Sequence, residues 1–191
     1  MKPGAPDRGS LLYSRCEPGH AIGITLEGMA DTLADLGDRF LFNTAFLRRL
    51  TRGFEPEHWS CTLSESGGNS AHWILGHIAA SRRATVRFRG GELEPAPWES
   101  IFPGALTVAG VAGAYPEAEF LARNLQAAGK QLGSILNEMG PEQQARPWEG
   151  EPFPDGSDTL GGVAHFMHFH ESYHLGQIGM IRTSCGLERV I

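Results

Sequence analysis

Basic charge, cysteine and long apolar runs are all scarce in this sequence, and each scarcity closes a class of function. Sixteen Lys and Arg against 22 Asp and Glu leave a net charge of −6. The chain therefore lacks the concentrated basic footprint that neutralises phosphates, and no nucleic-acid partner is expected. Its densest basic clusters, Arg48, Arg49 and Arg52 and then Arg82, Arg83, Arg87 and Arg89, read as solvated helix faces. Three cysteines, Cys16, Cys61 and Cys185, are scattered and odd in number, which suggests neither a disulfide framework nor a CxxC site. No apolar run is long enough to span a bilayer and no signal peptide is recognisable, so the expected place is the cytoplasm, with no membrane partner. Alternation at period two is missing as well, which argues against a sheet.

What is present describes one helical domain. At 191 residues, 41% hydrophobic and 20% charged, the chain can bury roughly 70% of its unfolded surface around a single core. Residues 1–24, rich in Gly and Pro, read as an extended N-terminal arm, and 25–191 as the folded domain. A first apolar stripe runs through Met29, Leu33, Leu36, Phe40, Leu47 and Leu50 and breaks at "RGFEPEHW". A second helix starts at Asn69 or Ser70 as N-cap and ends at Gly90-Gly91. Pro116 opens a third, with Glu117 and Glu119 in its first turn and a stripe of Leu121, Leu125, Ala128, Leu132, Ile135 and Met139. The last begins after Ser157 or Asp158 and runs to about Ser184, before Gly186. Four long amphipathic helices without a fixed repeat predict an all-α four-helix bundle with long irregular crossings.

Helical geometry then places the histidines. At 100° per residue, Val163, His170, His174 and Ile181 fall within about 40° of one another on the last helix, flanked by Leu160, Met167 and Ile178. His170 and His174 thus project inward, whereas His165 and His168 do not. Two inward imidazoles one turn apart can share a metal ion or can simply be hydrogen-bonded core residues. His77 on the second helix shares its face with Ser70, Trp73, Ile74, Ala84 and Phe88, and so is a third inward histidine. Three such histidines with open positions are how a catalytic metal site is built inside a bundle. His20, His58 and His72 read as surface or loop residues.

The stretch His170–His174 also spells H-E-x-x-H, the zinc-metalloprotease pattern. The extended form would need Gly at Gln177 and His at Met180, and neither is there. A later glutamate ligand has no helix to sit on, because 17 residues follow His174. The protease reading is therefore set aside, and Glu171, about 100° from His170, reads as a flanking or solvent residue, or as a group at an interface or behind a ligand.

"WILGHIAASRR" (73–83) and "HESYHLGQIGMIR" (170–182) together resemble the DinB/YfiT-like superfamily of metal-dependent four-helix-bundle proteins. That resemblance implies His77, His170 and His174 as metal ligands, with Gln177 orienting a ligand imidazole or a metal-bound water, or else packing between helices. Many members carry a further His before the last ligand and a basic residue after it. Tyr173 and Leu175 stand in those places here.

A neutral three-histidine set leaves a divalent ion (zinc, nickel or iron, and copper too) strongly Lewis-acidic, able to activate water or a thiol. Some relatives transfer or isomerise small substrates with a low-molecular-weight thiol such as mycothiol, bacillithiol or glutathione. The resemblance accordingly implies a thiol-S-transferase or isomerase. The alternatives are a non-catalytic metal- or ligand-binding stress-response bundle and an interaction bundle whose histidines merely pack. Trp73 on the His77 face, with Trp98, Phe102, Trp148 and Phe153 from the crossings, are candidates to line an apolar substrate pocket. Relatives often pair as homodimers, and Leu75, Ala79 and Val86 offer an apolar strip for that.

Overall fold

The computed structural model describes residues 33–64, 68–102, 115–151 and 153–191. The expected N-terminal arm, with Cys16 and His20, lies outside the described residues, as does Met29 at the start of the first apolar stripe. Four long helices carry the fold: α1 (Leu33–Leu50), α3 (Ala71–Phe88), α4 (Ala118–Glu138) and α6 (Leu160–Ser184). Between them lie single-turn helices α2 (Pro56–Ser60) and α5 (Pro141–Gln144) and a 3-10 turn over Pro97–Ile101. These short elements occupy stretches that read as breaks. Proline stops a helix it would interrupt, but suits the first position of a new one.

The helix starts follow the supply of side-chain acceptors. Ser70 Oγ accepts from the Trp73 N–H at 3.2 Å, as expected. The last helix begins after Thr159, whose Oγ1 accepts from the Gly162 N–H at 3.1 Å, and not after Ser157 or Asp158. Both of those are used in the preceding loop: Ser157 donates to the Asp155 carboxylate, and the Asp158 carbonyl accepts from the Trp148 N–H at 2.7 Å. The third long helix starts at Ala118, with Glu117 as N-cap. Pro116 stays outside it, where its carbonyl takes a hydrogen bond from His72 Nε2 at 2.8 Å. His72 is thereby a half-buried strut, not a surface residue. Gly90 and Gly186, at φ +80° and +83°, supply the left-handed residues that end α3 and α6.

Helix α1 packs on α4 and α6, and α3 packs on the same two. Consecutive long helices α1 and α3 therefore occupy opposite corners of the bundle. Two apolar clusters fill it. One gathers Leu47, Leu50, Ile74, Ile78, Leu121, Leu125, Ile178 and Ile181 among others; the other gathers Leu36, Phe40, Val86, Ala128, Leu132, Leu136 and Ala164. Burying each large aliphatic contributes about 1.5–3 kcal/mol. In α4 the deep residue is Leu136, with Ile135 and Met139 only half-buried. Leu75, Ala79 and Val86 are 1%, 0% and 0% exposed, so the strip expected to pair two copies is interior. Among the described residues there is no strand, only an isolated bridge between Pro147 and Thr159. No described helix is long and apolar enough to cross a membrane.

Between the two clusters lies a polar layer, and here the expectation of a solvated arginine face fails. Arg82 is 1% exposed. Its Nε donates to Glu171 Oε2 at 2.8 Å and its Nη2 to Glu171 Oε1 and to the Phe40 carbonyl at 3.1 Å. Nη1 donates to Thr44 Oγ1 at 2.6 Å and to the Leu125 carbonyl at 2.9 Å. All five guanidinium N–H groups are thus satisfied, by acceptors on α1, α4 and α6. Glu171, expected at a solvent flank, is 3% exposed. It turns inward because its side chain is the counter-charge that an arginine in that interior requires. Arg83 and Arg87 clamp Glu99. Arg89 is buried too, and none of its nitrogens has a hydrogen-bond partner among the described residues. Burial alone lowers its pKa to about 10, which leaves it cationic at neutral pH.

The cysteine expectation also needs correction. Cys61, after α2, and Cys185, at the C-cap of α6, form a disulfide across 124 residues. Nothing in their spacing reveals a pairing that exists only because α6 ends beside α2.

Removing one partner of the buried ion pair leaves a charge without compensation. Glu171→Ala is expected to destabilise the fold by about 3–5 kcal/mol, read as a lowered denaturation midpoint in urea.

Candidate metal centre

Helix α3 delivers His77, and α6 delivers His170 and His174 from successive turns. The Nε2 atoms of His77 and His170 are 3.0 Å apart, and those of His170 and His174 3.2 Å. One ring nitrogen from each histidine lies within 4.8 Å of the others. Ligands at 2.0–2.1 Å around a tetrahedral zinc ion stand roughly 3.3 Å apart, so the spacing suits a shared ion. The three residues that helical projection turned inward are the three that the fold brings together. His77 and His174 are buried and His170 is half-buried. His165 is exposed, and His168 packs edge-on against Phe40 at 5.3 Å.

The surroundings assign the tautomers. His77 Nδ1 faces the Phe102 carbonyl at 3.4 Å, and His174 Nδ1 faces Gln177 Oε1 at 2.7 Å. Both Nδ1 atoms must carry the proton to use these acceptors, so both Nε2 atoms present lone pairs to the centre. His170 Nε2 can donate to only one of them, and its own Nδ1 is buried with no partner. Hydrogen bonding within the cluster therefore cannot satisfy it, whichever tautomer His170 takes. Protonation does not relieve it either. Burial, then the neighbouring imidazoles, lower His170 to about 3; burial and His174 lower His77 to about 4. His174 is also lowered, by burial. Three ring nitrogens converging on one point with at most one proton among them fit a bound cation.

Several other residues shape the centre. Trp73 stacks on His77 at 4.7 Å with rings 10° apart. Phe102 lies over Gly76, where a Cβ would overlap its ring, so the glycine of the Trp-Ile-Leu-Gly-His stretch makes room for the loop that orients His77. Gln177 meets His174 Nδ1 from behind and donates to the Tyr173 hydroxyl at 3.2 Å. Trp98 packs on Phe102 at 6.2 Å. Trp148 does not join this group: it meets Phe88 and Phe153, and reaches His170 only through Phe153 and Phe166. Both Glu171 oxygens are engaged by Arg82, so it is not free to act as the base of a metalloprotease. Sequence reasoning missed Phe102's carbonyl as the partner of His77. A backbone acceptor 25 residues away leaves no side-chain signal.

The profile of the DinB superfamily matches residues 39–178, a span that includes all three histidines. No curated protein matches the chain at a significant level. Among solved structures, the chain is similar to YfiT from Bacillus subtilis, described as a probable metal-dependent hydrolase with an unusual four-helix bundle topology. The TM-score is 0.63 at 14% identity, over 83% of this chain and 90% of that one. At that identity the likeness shows the fold.

Depressed histidine pKa values make the metal-free protein acid-sensitive. Above the unfolded value of 6.5 both states hold these imidazoles neutral and the histidines contribute no pH dependence. As pH falls below 6.5 the unfolded chain takes up protons that the folded site refuses until about pH 4 to 3. Stability of the apoprotein is thus expected to fall between pH 6.5 and 4. Replacing His170 with Asn should flatten that slope in denaturation measured across the range.

Proposed function

This chain belongs to the DinB superfamily, and on that premise we propose that His77, His170 and His174 hold one divalent metal ion in a metal-dependent enzyme. We further propose that this enzyme is of the thiol-S-transferase or isomerase kind and acts on a small electrophile. The observation that carries the metal reading is the set of converging Nε2 atoms, which a single shared proton cannot satisfy in full and which burial keeps from protonation. A bound ion would supply Lewis acidity undiminished by its neutral ligands, enough to lower the pKa of a thiol or a water.

The protein's part is to bind, orient and dry the centre. Gln177 and the Phe102 carbonyl keep two imidazoles turned with Nε2 inward, a role whose loss typically weakens metal binding 10–100-fold. Trp73 and Phe102, 3% and 4% exposed, wall it off from water. With Glu171 tied to Arg82, no carboxylate belongs to the cluster among the described residues, so no side-chain base stands ready to deprotonate a nucleophile. That favours a nucleophile whose own proton leaves readily, and a thiol loses its proton far more easily than water. Cys61 and Cys185, the cysteines among the described residues, are paired with each other, and the thiol of this proposal is one from outside the chain, such as mycothiol, bacillithiol or glutathione. The second reading is hydrolysis by an activated water, which a neutral three-histidine set also supports.

Protein purified without a metal-affinity tag is expected to contain about one equivalent of zinc, nickel or iron by elemental analysis. His170→Ala should abolish that uptake and His168→Ala leave it intact; equal loss from both would remove the assignment. Turnover of an electrophile only in the presence of a low-molecular-weight thiol supports the transferase reading. Ester or amide cleavage without thiol replaces it with the hydrolase reading, and neither activity would leave a binding protein.

A further inference from the structure

The metal centre is assembled from two halves that the chain does not join locally. His77 lies on α3 and the His170–His174 pair on α6, with 93 residues between His77 and His170. A slip of one residue between these helices is a 1.5 Å rise and a 100° turn, enough to carry His77 out of the cluster. The apolar packing between α3 and α6, in a cluster that includes Ile74, Ile78 and Ile178, is non-directional and tolerates small slides. Arg82 and Glu171 do not. Their two parallel N–H···O bonds fix both distance and orientation. Arg82 sits five residues after His77, and Glu171 sits between His170 and His174 in sequence.

We propose that the Arg82–Glu171 fork is the positioning device of the metal centre. It sets the height and rotation of α6 against α3 so that the three imidazoles converge, and neither residue touches the ion. The inference rests on reading the cluster as a metal centre. Fixing register is a well-attested use of a buried polar contact, whose net stability is often no better than that of an apolar replacement. Here the acceptors on α1 and α4 lock the arginine in turn. Gly129 on α4 completes the lock: a Cβ there would stand 2.7 Å from Arg82 Nη1 and 3.5 Å from Cζ. The guanidinium cannot yield to it without leaving the acceptors it holds on the other helices.

The test measures metal affinity by chelator competition and the visible absorption of the Co²⁺-loaded protein, which reports ligand geometry and not stability. Gly129→Ala adds one methyl group on a helix that contributes no histidine. It is expected to weaken metal binding at least tenfold, in the range typical of lost orienting contacts, and to shift the Co²⁺ spectrum. Gly133→Ala, one turn on and with nothing within 4 Å of the added Cβ, should match the wild type in both. The double variant Arg82→Met with Glu171→Leu replaces the pair by apolar groups and should melt near the wild-type temperature yet show the same weakening and shift. Should it fail to fold, Gly129→Ala decides. A folded Gly129→Ala or double variant with wild-type affinity and spectrum overturns the inference. A wild-type protein that binds no metal overturns the reading beneath it, and that is seen before any variant is made.

Discussion

A guanidinium in the middle of a helical bundle needs five acceptors in a place where water supplies none, and most of this fold can be understood as meeting that need. Unpaired, such a charge would cost several kcal/mol. Arg82 instead finds a carboxylate on α6, a hydroxyl and a carbonyl on α1 and a carbonyl on α4. With α3 diagonally across from α1, and α4 and α6 beside both, one side chain from α3 reaches all three. Gly129 is part of the same solution, because the space a Cβ would take is where the guanidinium lies. The layer also divides the interior. Leu36, Phe40 and Leu132 pack on one side of it, and Ile78, Leu125 and Ile178 on the other.

That division explains which parts of the molecule could be read in the sequence. Helix positions and the inward histidines depend on local periodicity, so α3, α4 and α6 and the trio His77, His170 and His174 were all legible. Burial of Arg82 and Glu171 was not. On one helix at a time a charged residue belongs in water, and its reason to be elsewhere lies 89 residues away on another helix. The same blindness hid the bond between Cys61 and Cys185. It also made Leu75, Ala79 and Val86 look like an outward strip, although α3 buries residues all round its circumference. A helix that is apolar on every side is an interior helix, and one-stripe reasoning undercounts its contacts. Caps failed for a smaller reason: Ser157 and Asp158 are sound caps in isolation, but the loop before them uses their hydrogen-bonding groups first.

His-Glu-x-x-His is an instructive case, since the same five residues can serve opposite ends. In a metalloprotease the glutamate works at the ion; here it faces away and binds an arginine. Adjacent helical residues point about 100° apart, so the glutamate leaves the helix beside the histidines, and what it meets there sets its role. In this chain it meets Arg82. The consequence reaches the chemistry. With Glu171 neutralised in a salt bridge, the three-histidine cluster has neither an anionic member nor a built-in base among the described residues, and an ion held there would keep its full positive charge. One arginine on α3 thus both ties the bundle's other long helices together and takes the glutamate of the α6 motif away from the histidines.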